Sequence, residues 1–119
     1  MGNVEMKLTP KVLEHMYIML CNLEPFVRWK LPCPEEIKFI VTDDESSYGT
    51  YVYDPETEMH EITISRAKNG WFETVFRTLC HEVVHMTRGK TSNYDKHDAY
   101  FKRKTRAIAT ELGFDPLEL

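Results

Sequence analysis

Five consecutive residues, His81-Glu82-Val83-Val84-His85, combine side chains that can do metal chemistry at a spacing that suits it. Residues four apart on a helix lie one turn apart on the same face, so the two imidazoles can take one ion between them. Glu82 follows the first histidine and can reach a water held by that ion. Zinc is the metal this pattern suits: it lowers the pKa of a bound water towards 7 and polarises a carbonyl, while the glutamate moves the proton. In a chain with 5 His and 13 Glu among 119 residues, the pattern arises by accident in about 2 % of shuffled sequences. The bland alternative is a solvated helix that happens to carry two histidines.

A catalytic zinc usually takes three protein ligands and leaves a fourth position for water. The metzincin spacing fails, because Arg88 stands where that pattern needs glycine. His97 is the preferred third ligand. Placed near the start of a last helix, it shares a face with Phe101 and Ile108, at offsets of 4 and 11, and a chain that turns back after Gly89 carries that face to His81 and His85. Asp98 is next in line, and Glu111, nearly four turns further on, is the remaining acidic alternative. Tyr94, Tyr100 and Arg88 are candidates to assist a developing oxyanion. His60 is either a support for the site or a strand-surface histidine. Cys80 adjoins His81 but points off the metal face, so burial is expected.

These residues need a helix under the motif and partners to hold it. Thr9-Pro10 reads as a helix start, with Val12, Leu13, Met16, Tyr17, Leu20 and Leu23 at helical spacing and Pro25 as the stop. His15 lies off that stripe. Three strands are expected at 37–42, 48–53 and 59–65, the last two joined by the turn Asp54-Pro55-Glu56-Thr57-Glu58. The motif helix carries Trp71, Phe72, Val75, Phe76, Leu79, Val83 and Met86 on a wide apolar surface, and Gly89 stops it. After a polar loop, Lys90 to Tyr94, a last helix is expected to start with Asp95 as its cap and to close at Gly113 and Pro116. The strand 59–65 is the candidate sheet edge for aligning an extended peptide.

Length and composition fit one soluble α+β domain over residues 1–119. No apolar run approaches the roughly 18 residues of a membrane span. Met1–Met6 lacks a signal-peptide core, and Met6 stands where a myristoylation signal at Gly2 needs Ser or Thr. Three cysteines without a C-x-x-C pair point to reduced thiols and a cytoplasmic setting. The net charge is −4 but uneven. Residues 88–106 hold seven cations against two carboxylates. The basic stretch 96–106 is thus a candidate surface for DNA or an acidic partner, though a solvated helix face is the commoner reason for such a run.

The chain resembles the SprT-like zinc metallopeptidases. Ile62-Thr63-Ile64-Ser65 looks like the strand before that family's motif helix, and Thr78-Leu79-Cys80-His81-Glu82-Val83-Val84-His85 looks like the helix itself. His97 with Phe101 four residues on is similar to the family's third histidine and following aromatic, although Asp98 stands where many relatives have glycine. The resemblance implies a zincin-like fold, Zn2+ on His81, His85 and His97, and Glu82 as the catalytic acid/base that hydrolyses a protein or peptide substrate. The competing expectation is a zinc-stabilised, non-catalytic module that docks DNA or an acidic protein through the basic helix. Glu82 separates the two, because a purely structural site needs no base beside its metal.

Overall fold

The computed structural model describes residues 7–91 and 94–119. The readings made of Met1–Met6, and of Ser92 and Asn93 within the polar loop, lie outside the described residues. The fold is α+β: an N-terminal helix, a three-stranded mixed sheet, the helix carrying His81 and His85, and a C-terminal helix.

Helix α1 spans Pro10–Cys21. Thr9 caps it, its hydroxyl accepting the Val12 N–H at 3.2 Å, and Pro10 gives up an N–H that no helical partner would have taken. Leu13, Met16, Tyr17 and Leu20 form its buried stripe. The helix stops earlier than Pro25 requires: Asn22 is its C-cap, and Leu23, beyond the last turn, is left exposed. The Tyr17 hydroxyl donates to the Pro32 carbonyl at 2.6 Å, which ties α1 to the loop entering the sheet.

Strands β1 (Ile37–Thr42), β2 (Gly49–Asp54) and β3 (Met59–Ser65) pair in the order β1-β3-β2. β1 runs parallel to β3, in the register Phe39 opposite Ile62, and β2 runs antiparallel to it, with Tyr51 opposite the same Ile62. The strand 59–65 is therefore the centre of the sheet and not its edge, because both its neighbours claim its backbone groups. Among the described residues, the free edges belong to β1 and β2. Side chains alternate along a strand, so His60 shares a face with Ile62 and Ile64, and all three are buried. The strand-surface reading of His60 fails for that reason.

Helix α2 spans Phe72–Met86 and lies against β2 and β3. Val75, Leu79, Cys80, Val83 and Val84 are at most 1 % exposed and pack into the common core with Ile62, Ile64 and the α1 stripe. Fully burying one such side chain contributes about 1.5–3 kcal/mol. Trp71 and Phe72 do not share in this: they sit at the cap and first position of the helix and are exposed. The helix ends at Met86 with Thr87 still in right-handed geometry, so Gly89 is not its left-handed stop.

Helix α3 spans Ala99–Leu112. Its cap is Asp98 rather than Asp95: the Asp98 carboxylate accepts the Phe101 N–H at 3.2 Å. Phe101, Thr105, Ile108 and Ala109 face inward, and Gly113 closes the helix with φ +80°. The three cysteines are free; Cys80 is fully buried, and burial pushes its thiol well above the ordinary range. No helix among the described residues is long and apolar enough to cross a membrane.

Candidate metal centre

The helical period of α2 sets His81 and His85 side by side, with Nε2 atoms 3.2 Å apart. His97 comes from the segment before α3 and places its Nε2 3.1 Å from that of His85. One ligand atom from each of the three lies within 4.8 Å of the others, so His81, His85 and His97 form a group that can hold a metal ion.

The outer nitrogens decide what the inner ones are. His81 Nδ1 lies 2.6 Å from the main-chain oxygen of Leu119, and His85 Nδ1 lies 2.7 Å from the Tyr94 carbonyl oxygen. A carbonyl or carboxylate oxygen only accepts, so in the neutral ring each Nδ1 carries the proton and each Nε2 is left with a lone pair. The 3.2 Å separation of His81 and His85 is then two acceptors facing each other and cannot be a hydrogen bond. Lone pairs converging in this way call for a cation. A tetrahedral zinc with N ligands at 2.0–2.1 Å requires N···N separations of about 3.3 Å, close to the 3.2 and 3.1 Å that His85 makes with His81 and His97. Backbone carbonyls on Nδ1 are also the usual means of fixing a ligand's tautomer and ring plane.

Electrostatics favour the same state. Burial, then the neighbouring His81, holds the His85 imidazole down at about 4. Burial likewise lowers His81, against the opposing pull of its Leu119 hydrogen bond. Both are neutral at pH 7, the form in which histidine ligates.

Phe101 is the floor under the three rings. It stacks on His97 and His85, at centroid distances of 4.4 and 4.7 Å, and meets His81 edge-on at 4.9 Å. Its position follows from the inward face of α3, but His97 itself is not on that helix. It precedes the cap, so the shared helical face does not explain how it reaches the site.

Arg88 does explain it. Its guanidinium grips the Asp98 carboxylate with two N–H groups, at 3.0 and 2.9 Å, and also donates to the Lys96 carbonyl at 3.3 Å. The residues on both sides of His97 are thereby fastened to the exit of α2. The sequence reading offered Arg88 as a helper of catalysis and missed this role; the signal was its place three residues after His85, ahead of an acid at the next helix cap. The same fork holds the Asp98 carboxyl down at about 2, so Asp98 is committed to Arg88 and the helix cap rather than to a metal. Tyr100 is engaged too: its hydroxyl donates to Thr87 Oγ1 at 2.9 Å and its ring lies under Arg88. Tyr94 enters through its carbonyl. Glu111 is exposed and outside the histidine group. His60 is engaged away from the group, its Nδ1 2.7 Å from the Tyr51 hydroxyl.

Glu82 is 4 % exposed, and burial alone pushes its carboxyl up to about 8. It opens, with His81, on a cleft of about 450 Å³ whose other walls are Tyr48, Gly49, Arg77 and Thr78, with Glu118 and Leu119 along one side. Tyr48 and Gly49 are where β2, an edge strand, begins. A protonatable carboxyl, His81 of the histidine group and the start of an edge strand thus share one depression.

Compared with protein-family models, curated proteins and solved structures, the chain matches none.

Proposed function

We propose that this chain is a zinc-dependent metallopeptidase that hydrolyses peptide bonds, with His81, His85 and His97 holding the metal and Glu82 as its acid/base. The observation that carries the reading is the convergence of three Nε2 atoms, with His85 3.2 Å from His81 and 3.1 Å from His97, while two of the rings are held from behind by main-chain oxygens and Glu82 lies buried on the cleft that His81 also lines.

Zinc, when bound, supplies Lewis acidity to water and to the scissile carbonyl. The chain does the rest. His81 and His85 keep their protons on Nδ1, so their Nε2 atoms need no deprotonation before ligation. Glu82 has no hydrogen-bond partner among the described residues and is free to accept a proton from water and return it to the departing amine. Its raised affinity for that proton is the property an acid/base needs near neutral pH, and a cation on the neighbouring histidines would pull it back towards the carboxylate range. The unpaired edge of β2 can offer main-chain groups to a substrate in extended form. An edge beside the cleft takes the role that the sequence reading gave to β3.

Zinc stoichiometry, measured together with cleavage of an unstructured protein such as casein, tests the proposal. One zinc per wild-type chain, retained in Glu82→Gln while cleavage disappears, is the expected outcome. Zinc retained with no cleavage in wild type, under conditions with and without DNA, would leave a structural metal and overturn the peptidase reading.

A further inference from the structure

On the peptidase reading above, we infer that Arg77 selects substrates bearing an acidic side chain, whose carboxylate takes the guanidinium in place of Glu118. Arg77 stands four residues before His81, so it lies on the same face of α2 one turn nearer the N-terminus. It lines the cleft that His81 and Glu82 share. No other Lys or Arg among the described residues does so.

The guanidinium is under-used where it stands. Its one charged partner among the described residues is Glu118, through a single contact of 3.4 Å from Nη1 to Oε2. An arginine presents five N–H donors in a planar fork that matches a carboxylate through two parallel bonds, as Arg88 does with Asp98 a few turns away. Arg77 has that geometry on offer and does not spend it. The Glu118 side chain is 62 % exposed, and a single long contact of this kind between exposed groups contributes little. It can swing into solvent without disturbing the backbone, so the Leu119 main-chain oxygen stays on His81 Nδ1 while the site is filled. A peptide lying along the β2 edge and across the metal site passes the Arg77 end of the cleft. A carboxylate on that side chain gains the fork; an amide of the same shape does not.

The test uses quenched-fluorescence peptides in Glu/Gln pairs, with the pair moved through each position around the cleaved bond, on the zinc-loaded full chain. Wild type is expected to favour Glu over Gln at one position by roughly tenfold in kcat/KM, the scale of a hydrogen bond to a charged group. Arg77→Gln is expected to abolish that preference, bringing kcat/KM for each Glu peptide down to that of its Gln partner. Arg77→Lys keeps part of it, and Glu118→Gln widens it by removing the competitor. Zinc content and circular dichroism equal to wild type establish that the variants fold; should Arg77→Gln fail to do so, Arg77→Lys and Glu118→Gln decide. No preference at any position, or a preference that survives Arg77→Gln, overturns the inference. Anisotropy of the same labelled peptides on zinc-loaded Glu82→Gln chain separates the two claims. If wild type cleaves nothing, the peptidase reading falls. Selectivity is then read from binding alone: tighter Glu peptides with Arg77 intact uphold it, and equal binding overturns it.

Discussion

The Tyr51 hydroxyl and the backbone of Gly89 touch: a Cβ built on Gly89 would lie 1.7 Å from that oxygen. The same hydroxyl meets His60 Nδ1 at 2.7 Å, so the glycine leaves room for a buried polar pair that joins β2 to β3 beneath the exit of α2. Gly89 is needed for close approach and not for a left-handed turn. Gly89→Ala is therefore expected to push the ring aside, weaken the hydrogen bond and destabilise the fold by about 2–3 kcal/mol. Urea denaturation measures this. A midpoint equal to wild type would mean that Tyr51 repacks without loss.

His97 lies before α3 and is exposed, so its removal spares the core. His97→Ala is expected to fold with a wild-type circular dichroism spectrum and to lose more than a hundredfold in zinc affinity, beyond the 10–100-fold typical of residues that only support a ligand. Competition against a chromophoric chelator gives the number. An affinity within threefold of wild type would remove His97 from the ligand set.

Arg88 acts on the site through the residues flanking His97. Arg88→Ala releases Asp98 and the Lys96 carbonyl together, and is expected to lower zinc affinity about tenfold with His81 and His85 intact. Asp98→Asn keeps an acceptor for the Phe101 N–H but loses the ion pair, so it should fall between wild type and Arg88→Ala. Unchanged affinity in both variants would show that His97 is held by Phe101 alone.

Removing zinc is expected to lower stability without unfolding the chain, because the buried cluster joining α1, the sheet and α2 does not depend on the site. Free zinc at a thousand times its Kd raises stability by about 4 kcal/mol through mass action. Thermal melts with and without a chelator test this. A chelated sample with no cooperative transition would mean that the metal is needed for folding itself.

His60 gives the apo-protein a pH dependence of known sign. Burial lowers its folded pKa below the unfolded value of about 6.5, Lys90 lowers it further, and Glu36 opposes them. Tyr51 and Tyr53 are its other close neighbours. The unfolded chain binds the proton more readily, so the stability linked to neutral His60 is present above about pH 6.5 and is lost as pH falls through the folded pKa. Between pH 7.5 and 5.5, His60→Gln is expected to lose less stability than wild type in urea melts. Equal losses would show that His60 does not titrate in this window.

Much of the site was legible because its first half is local. A helix has a fixed period, so writing His81 and His85 four apart settles that their rings are neighbours, and putting Glu82 after His81 settles which carboxyl stands beside them. The Thr9 cap, the alternation of β3 and the inward face of Phe101 and Ile108 follow from backbone geometry in the same way. Even the burial of His60 was written there, in its parity with Ile62 and Ile64.

What the sequence could not decide is what lies opposite what. The central place of β3 depends on two separate strands claiming its two edges. His97 reaches the triad because Arg88, from another element, fastens Lys96 and Asp98 on either side of it. The main-chain oxygens that fix the tautomers come from Tyr94 and Leu119, whose side chains say nothing about where their backbones run, and the glycine at 89 answers to a tyrosine 38 residues earlier. Spacing along the chain is governed by the geometry of one segment. Contacts of these other kinds are governed by how several segments share a core, and no period in the sequence encodes that.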